Sequence, residues 1–281
     1  MTAQSVPALS FVTMGISLLV AILIPVGLFV FYRKKFGCKK MPFVVGCATF
    51  AIFALVLEGI FHTIILGGGR ADALMAKPIL YGLYGGFMAG LFEETGRFLA
   101  FKTVLTKSRD DDYTSLMYGA GHGGFEAFYI LLSGAVTNIV FSVLINSGNT
   151  ELITKTVSGK ALESMEQTFL TLQTANPMVY LAGIIERIPA VAIHISLSVL
   201  VWTAVKNKQK IFLYPIAIVL HMIVDAVTAS LALLKVNTVI VEIVIYVCAT
   251  VIILISRGVW KRERTCNQTQ ACEIEPEMER N

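Results

Sequence analysis

Charge is scarce in this chain of 281 residues: Asp, Glu, Lys and Arg make up 15% of it, against 56% hydrophobic residues. With a mean hydropathy of +0.72, that scarcity excludes a water-soluble domain of ordinary composition and indicates a polytopic helical membrane protein. Internal repeats, low-complexity segments and a His-Glu-x-x-His motif are all absent. The five cysteines (Cys38, Cys47, Cys248, Cys266, Cys272) show no metal-ligand spacing. Cys266 and Cys272 fall in a polar tail expected in reducing cytoplasm, so no structural disulfide is expected there. The first seven residues carry no basic side chain and the next apolar run exceeds a signal-peptide core, so it reads as a retained helix.

What is present is a series of apolar runs. They predict an all-α fold with seven transmembrane helices and a polar site inside the bundle, at about 8–32, 41–66, 79–105, 114–145, 177–205, 211–233 and 237–256. Residues 1–265 are expected to form one transmembrane domain and 266–281 a polar cytoplasmic tail. In the linker 146–176, Leu162, Met165, Phe169 and Leu172 recur at helical spacing, with Lys160, Glu163 and Glu166 off that stripe. An amphipathic helix on the extracytoplasmic membrane surface, placed as a lid, fits this pattern. Asn176-Pro177 is a helix start, and Pro189 is expected to bend the fifth span ahead of His194. Of the basic residues, sixteen fall at one set of span ends and five (Arg70, Lys77, Lys155, Lys160, Lys235) at the other. Basic residues accumulate on the cytoplasmic side, which puts the N-terminus outside and the C-terminus inside.

Arg97 and Arg187 are the two basic residues left within the spans. Arg97 lies in Gly90-Leu-Phe-Glu-Glu-Thr-Gly-Arg-Phe-Leu99, four residues after Glu93 and three after Glu94. Both acids can therefore reach it from one face of a helix. Carboxylates in hydrocarbon are costly, and one arginine neutralises only one of them, leaving the second for proton transfer. At helical rise, Glu93 and Glu94 lie roughly 16 Å from the cytoplasmic face, His122 and Glu126 roughly 12 and 18 Å, His194 roughly 16 Å, and His221 and Asp225 roughly 15 and 21 Å. Four helices thus carry ionisable groups to one depth. Each also has a bland reading. A lone buried histidine often only satisfies a hydrogen bond in the core, Asp225 one turn after His221 can simply orient it, and Glu186-Arg187 can be a helix staple. Glu58 and His62, four apart and nearer the outer face, read as packing or outer support, and Glu242 as structural. The glycines around His122 permit close helix approach.

On these motifs the chain resembles the YhfC family of predicted intramembrane peptidases, which is related to the PrsW proteases and more distantly to the type II CAAX prenyl endopeptidases. The resemblance rests on Glu93-Glu94-Thr-Gly-Arg97, on Tyr118-Gly-Ala-Gly-His122 continuing to Glu126, on Glu186-Arg187 with His194, and on His221-Met-Ile-Val-Asp225. Two departures stand out. The interval from Glu94 to Arg97 is one residue shorter than in the CAAX enzymes, and His122 replaces an aromatic residue of PrsW. The resemblance implies an intramembrane endopeptidase of the glutamate type. Glu93 would activate water with His122 positioning it, and His221 and Asp225 would hold the scissile carbonyl. Glu94, Arg97, Glu126, Glu186, Arg187 and His194 would support them. Two cofactor readings stay open: no metal, which the motifs favour, or a divalent metal such as zinc on His122, His194 and His221. The expected partners are the lipid bilayer and a membrane protein or peptide substrate, with no nucleic acid. Rival readings are a proton-coupled transporter and a non-catalytic scaffold or immunity-type protein.

Overall fold

In a computed structural model, the backbone is described for residues 5–278 and side chains for residues 5–264. The side chains of the expected tail, Cys266 and Cys272 among them, lie outside the described residues. The described chain is all-helical. The principal helices are α1 (Ala8–Phe36), α2 (Met41–Leu66), α3 (Pro78–Leu99), α4 (Tyr113–Asn146), α5 (Lys160–Thr174), α6 (Val179–Lys206), α7 (Leu213–Leu233) and α8 (Thr238–Met278). Six of them, all but α3 and α5, are long and apolar enough to cross a membrane. The remaining expected span is α3, helical as anticipated and carried on by a π-helical stretch, Ala100–Val104. Glu93, Glu94, Arg97 and its glycines dilute its hydropathy, because this helix carries the polar side chains.

The last helix does not stop at 256. Arg257, Lys261, Arg262, Glu263 and Arg264 are good helix formers, and nothing in them breaks the backbone where the apolar stretch ends. Helix α6 likewise runs through Pro189 as one continuous element. The amphipathic helix expected in the 146–176 linker is α5, with Phe169 and Leu172 buried.

The chain divides into two units, and each is described separately. One comprises the chain up to Gly27 together with Glu126–Ile188. Its core joins Val6, Met14, Ile145, Phe169 and Leu172. The Asn146 amide clasps the backbone of Val6, accepting from its N–H at 2.7 Å and donating to its carbonyl at 3.1 Å. The Ser17 hydroxyl donates to the Tyr180 carbonyl at 2.7 Å.

The second unit comprises Leu28–Phe125 and the chain from Pro189 onward. From Val191 to Ala204 nearly every residue of α6 is buried, and Phe101 packs between Tyr118 and Trp202 with ring centroids 4.5 and 5.0 Å away. Helix α3 lies along α7 through Gly82, Gly86 and Gly90, one turn apart on one face. A Cβ at Gly86 would sit 2.6 Å from the Ala226 nitrogen, and one at Gly90 2.7 Å from the Ile218 carbonyl oxygen. Small residues at this spacing let helix backbones touch, which substitutes for a hydrophobic driving force in lipid. Gly119 and Gly123 bring α4 onto α6 in the same way, while Gly46 and Gly121 bring α2 onto α4. The glycines around His122 are therefore architectural.

Gly85 supplies a built-in control, since a Cβ added there would meet nothing within 4 Å. Gly85→Ala is expected to be neutral or to stabilise by about 0.5 kcal/mol through backbone entropy. Gly86→Ala, one residue on, is expected to destabilise by about 1–3 kcal/mol by forcing α3 from α7. Thermal melts of the two variants in one detergent check this; a Gly86→Ala melt at or above that of Gly85→Ala overturns the packing.

Candidate active site

Glu93 and Glu94 are neighbours on α3 with different partners. Glu94, fully buried, engages Arg97 with both oxygens, each 2.5 Å from Nη1. Its Oε1 also accepts from His221 Nδ1 at 2.9 Å. The other guanidinium nitrogen, Nη2, donates to His194 Nδ1 at 3.1 Å. The arginine is thus spent on Glu94 and on orienting one imidazole. Glu93 is paired instead with His122, whose Nε2 lies 2.8 Å from Oε2, and His194 Nδ1 lies 3.8 Å from the same oxygen.

Helices α3, α4, α6 and α7 therefore bring their ionisable groups together, as the common depth predicts. Ring centroids of His122 and His194 are 5.0 Å apart and those of His194 and His221 5.2 Å apart. Glu93, Arg97 and all three histidines are buried. Asp225, one turn beyond His221, places Oδ2 3.3 Å from His221 Nε2, so each nitrogen of that ring faces a carboxylate. Phe50 of α2 closes over His122 edge-on, with centroids 5.3 Å apart. The sequence offered no signal for Phe50 beyond its apolar character.

The other three expected supporting residues lie in the first unit, where they form their own cluster. Arg187 Nη1 donates to Glu126 Oε1 at 3.0 Å and Nη2 donates to Glu186. Glu58 and His62 belong to the second unit and are linked directly, His62 Nε2 lying 3.0 Å from Glu58 Oε1. The pair was legible as an i, i+4 spacing; its link to Tyr84, 2.8 Å from His62 Nδ1, was not.

Among the described residues, one group offers a metal site: Glu93, His194 and His221, with ligand atoms all within 4.8 Å of one another. One carboxylate and two imidazoles leave a tetrahedral zinc one open position, so the donor set is compatible with such a metal. His221 Nδ1–H on Glu94 is the carboxylate–imidazole arrangement that orients metal-binding histidines, and its Nε2, which faces Asp225, is the nitrogen left to a ligand. Arg97 already holds His194 Nδ1, so His194 would offer that atom to a metal only by giving up this hydrogen bond. His122, one of the three histidines expected from sequence as ligands, instead bonds Glu93, and its buried Nδ1 has no hydrogen-bond partner among the described residues. Burial, reinforced by the charge of Asp111, pushes up the thiol pKa of Cys38, in the loop after α1.

Residues 20–247, which contain every residue of this cluster, match the family model described as YhfC intramembrane metalloprotease. The chain is 38% identical over 213 residues to the uncharacterized membrane protein YhfC of Bacillus subtilis (strain 168), a match covering 75% of this chain and 80% of that protein. No solved structure matches.

Proposed function

The chain belongs to the YhfC intramembrane metalloprotease family, and from that premise we propose that it hydrolyses a peptide bond of a membrane-associated protein or peptide with water activated by Glu93. Membership makes it an intramembrane protease in kind; the assignment of residues is our own reading. One observation carries it. Of two adjacent buried carboxylates, Arg97 takes up Glu94, while Glu93 faces His122 and His194.

In this reading Glu93 accepts a proton from water as the water oxygen attacks the scissile carbonyl carbon. It returns that proton to the amide nitrogen as the C–N bond breaks. His122 holds the carboxylate through Nε2 and keeps it aimed. His221, its Nδ1–H held by Glu94, exchanges the contact of its Nε2–H with Asp225 for the carbonyl oxygen as negative charge develops there. Arg97 is the counter-ion of Glu94 and holds His194 in one orientation. Glu126, Glu186 and Arg187 act as a separate structural ion-pair cluster. Glu93, His194 and His221 are the residues that would hold a divalent metal, and when bound it would supply a more acidic water and, in place of the His221 donor, Lewis-acid polarisation of the carbonyl. The excess of basic residues at alternate span ends supports an N-terminus outside and a C-terminus in the cytoplasm.

Metal analysis of the purified protein tests the metal assignment, with about one equivalent of zinc per chain expected, and lost in His221→Ala. A wild-type preparation with zinc no higher than the variant's would leave the chemistry to the carboxylate and histidines. The reaction itself is tested by comparing membrane proteomes of cells carrying the wild type and Glu93→Gln. Fragments of a membrane protein present only with the wild type are expected. Substrate flux driven by a proton gradient, with no fragments, would instead make the cluster a transport relay.

A further inference from the structure

A hydrolase sealed in lipid consumes one water per turnover. Peptide hydrolysis at neutral pH yields a carboxylate and an ammonium, with no net proton released. What the buried cluster needs is therefore a supply of water. Resting on the hydrolase reading, we propose that Glu58, His62, Tyr84 and Asp225 line the inlet through which water reaches Glu93 from the extracytoplasmic side.

The residues form a ladder. Counted from the helix ends on that side, His62 lies about 6 Å deep, Tyr84 about 9 Å, Glu58 and Asp225 about 12 Å, His221 about 18 Å and Glu93 about 22 Å. Direct contacts link the outer rungs to one another and the inner rungs to the site. With His62 Nε2–H donating to Glu58 at 3.0 Å, Nδ1 accepts from the Tyr84 hydroxyl at 2.8 Å. Glu58 and Asp225 stand at one depth, and Asp225 lies 3.3 Å from His221 Nε2. From there Glu94 and Arg97 lead to the site.

Exposure is highest at two of the rungs. The side chains of His62 and Asp225 are 33% and 38% exposed, whereas that of His221 is 4% exposed. A carboxylate exposed at Asp225's depth cannot face acyl chains at tolerable cost, so that opening is hydrated. The backbone of α2 also departs from α-helix here. Ala51–Glu58 is π-helical, and Glu58 is its only buried residue. Such wide turns recur at functional positions because they re-aim a side chain.

Cysteine accessibility tests the inlet without requiring catalysis. In full-length protein with Cys38, Cys47, Cys248, Cys266 and Cys272 replaced by serine, single cysteines are placed as His62→Cys and Tyr84→Cys. Leu83→Cys and Val56→Cys, both exposed apolar positions, serve as lipid-facing controls. A membrane-impermeant cationic methanethiosulfonate is then added to intact cells. Because the thiolate reacts and forms only in water, the first two are expected to label at least roughly tenfold faster than the controls. Equal rates, or no labelling of either inlet position in correctly expressed protein, overturn the inlet. Labelling only in inside-out vesicles overturns its direction. Two inlet positions guard against one variant misfolding. Loss of the protease reading would show in the proteome comparison and leave the labelling pattern intact.

Discussion

Glu93→Gln is expected to cut cleavage by about 10²–10⁴-fold, the usual contribution of a positioned general base, while the protein melts close to the wild type. The side chain keeps its shape, and its carbonyl oxygen can still accept from His122 Nε2, which lies 2.8 Å away in the native protein. Losing the Glu93 charge does not strand Arg97, because Glu94 engages that guanidinium with both oxygens. What disappears is the ability to take a proton from water and the carboxylate donor of the candidate metal group. Glu94→Gln is the informative contrast: it leaves Arg97 without its counter-ion and weakens the acceptor that orients His221. Its loss of activity should come with a lower melting temperature. Cleavage by Glu93→Gln at near wild-type rate would remove Glu93 from the base role. Equal destabilisation by both substitutions would make the whole acidic pair structural.

Arg97→Leu is expected to destabilise the protein by about 3–5 kcal/mol, the effect of removing one partner from a buried ion pair. Both oxygens of a fully buried carboxylate would lose their guanidinium, and His194 would lose its 3.1 Å donor. Arg97→Lys should recover only part of this, since one ammonium cannot satisfy Glu94 and reach His194 in the same geometry. The double variant Glu94→Leu/Arg97→Leu should be more stable than Arg97→Leu alone, because no unpaired charge remains. Thermal unfolding of the four proteins in one detergent measures the coupling. An Arg97→Leu variant that melts with the wild type, or a double variant no better than the single, would show that the pair carries no such role.

Much of this was legible from one dimension. Hydropathy over some twenty residues reports a span, and helical rise fixes how deep each residue lies along it. The expected spans 41–66 and 114–145 accordingly meet α2 (Met41–Leu66) and α4 (Tyr113–Asn146) closely. The common depth of Glu93, His122, His194 and His221 came from the same arithmetic. So did the local relations Glu94–Arg97 and His221–Asp225, since residues three or four apart share a helix face whatever surrounds them.

Depth along an axis says nothing of rotation about it or of which helix stands opposite, and those were decided by packing. Glu93 and Glu94 are equivalent as letters, yet successive helical residues point about 100° apart. Gly86 and Gly90 lock α3 against α7 so that Glu94 meets His221, while Gly123 draws α4 onto α6 beside His194 and leaves Glu93 to His122. Glu126 shared the depth of the cluster and belongs to the other unit, paired with Arg187. Glu58 is the one buried residue of the π-helical stretch Ala51–Glu58, a backbone change that its apolar neighbours do not announce. Periodicity and depth are properties of a single helix, but the pairing of charges depends on contacts between helices, and those exist only once the bundle has packed.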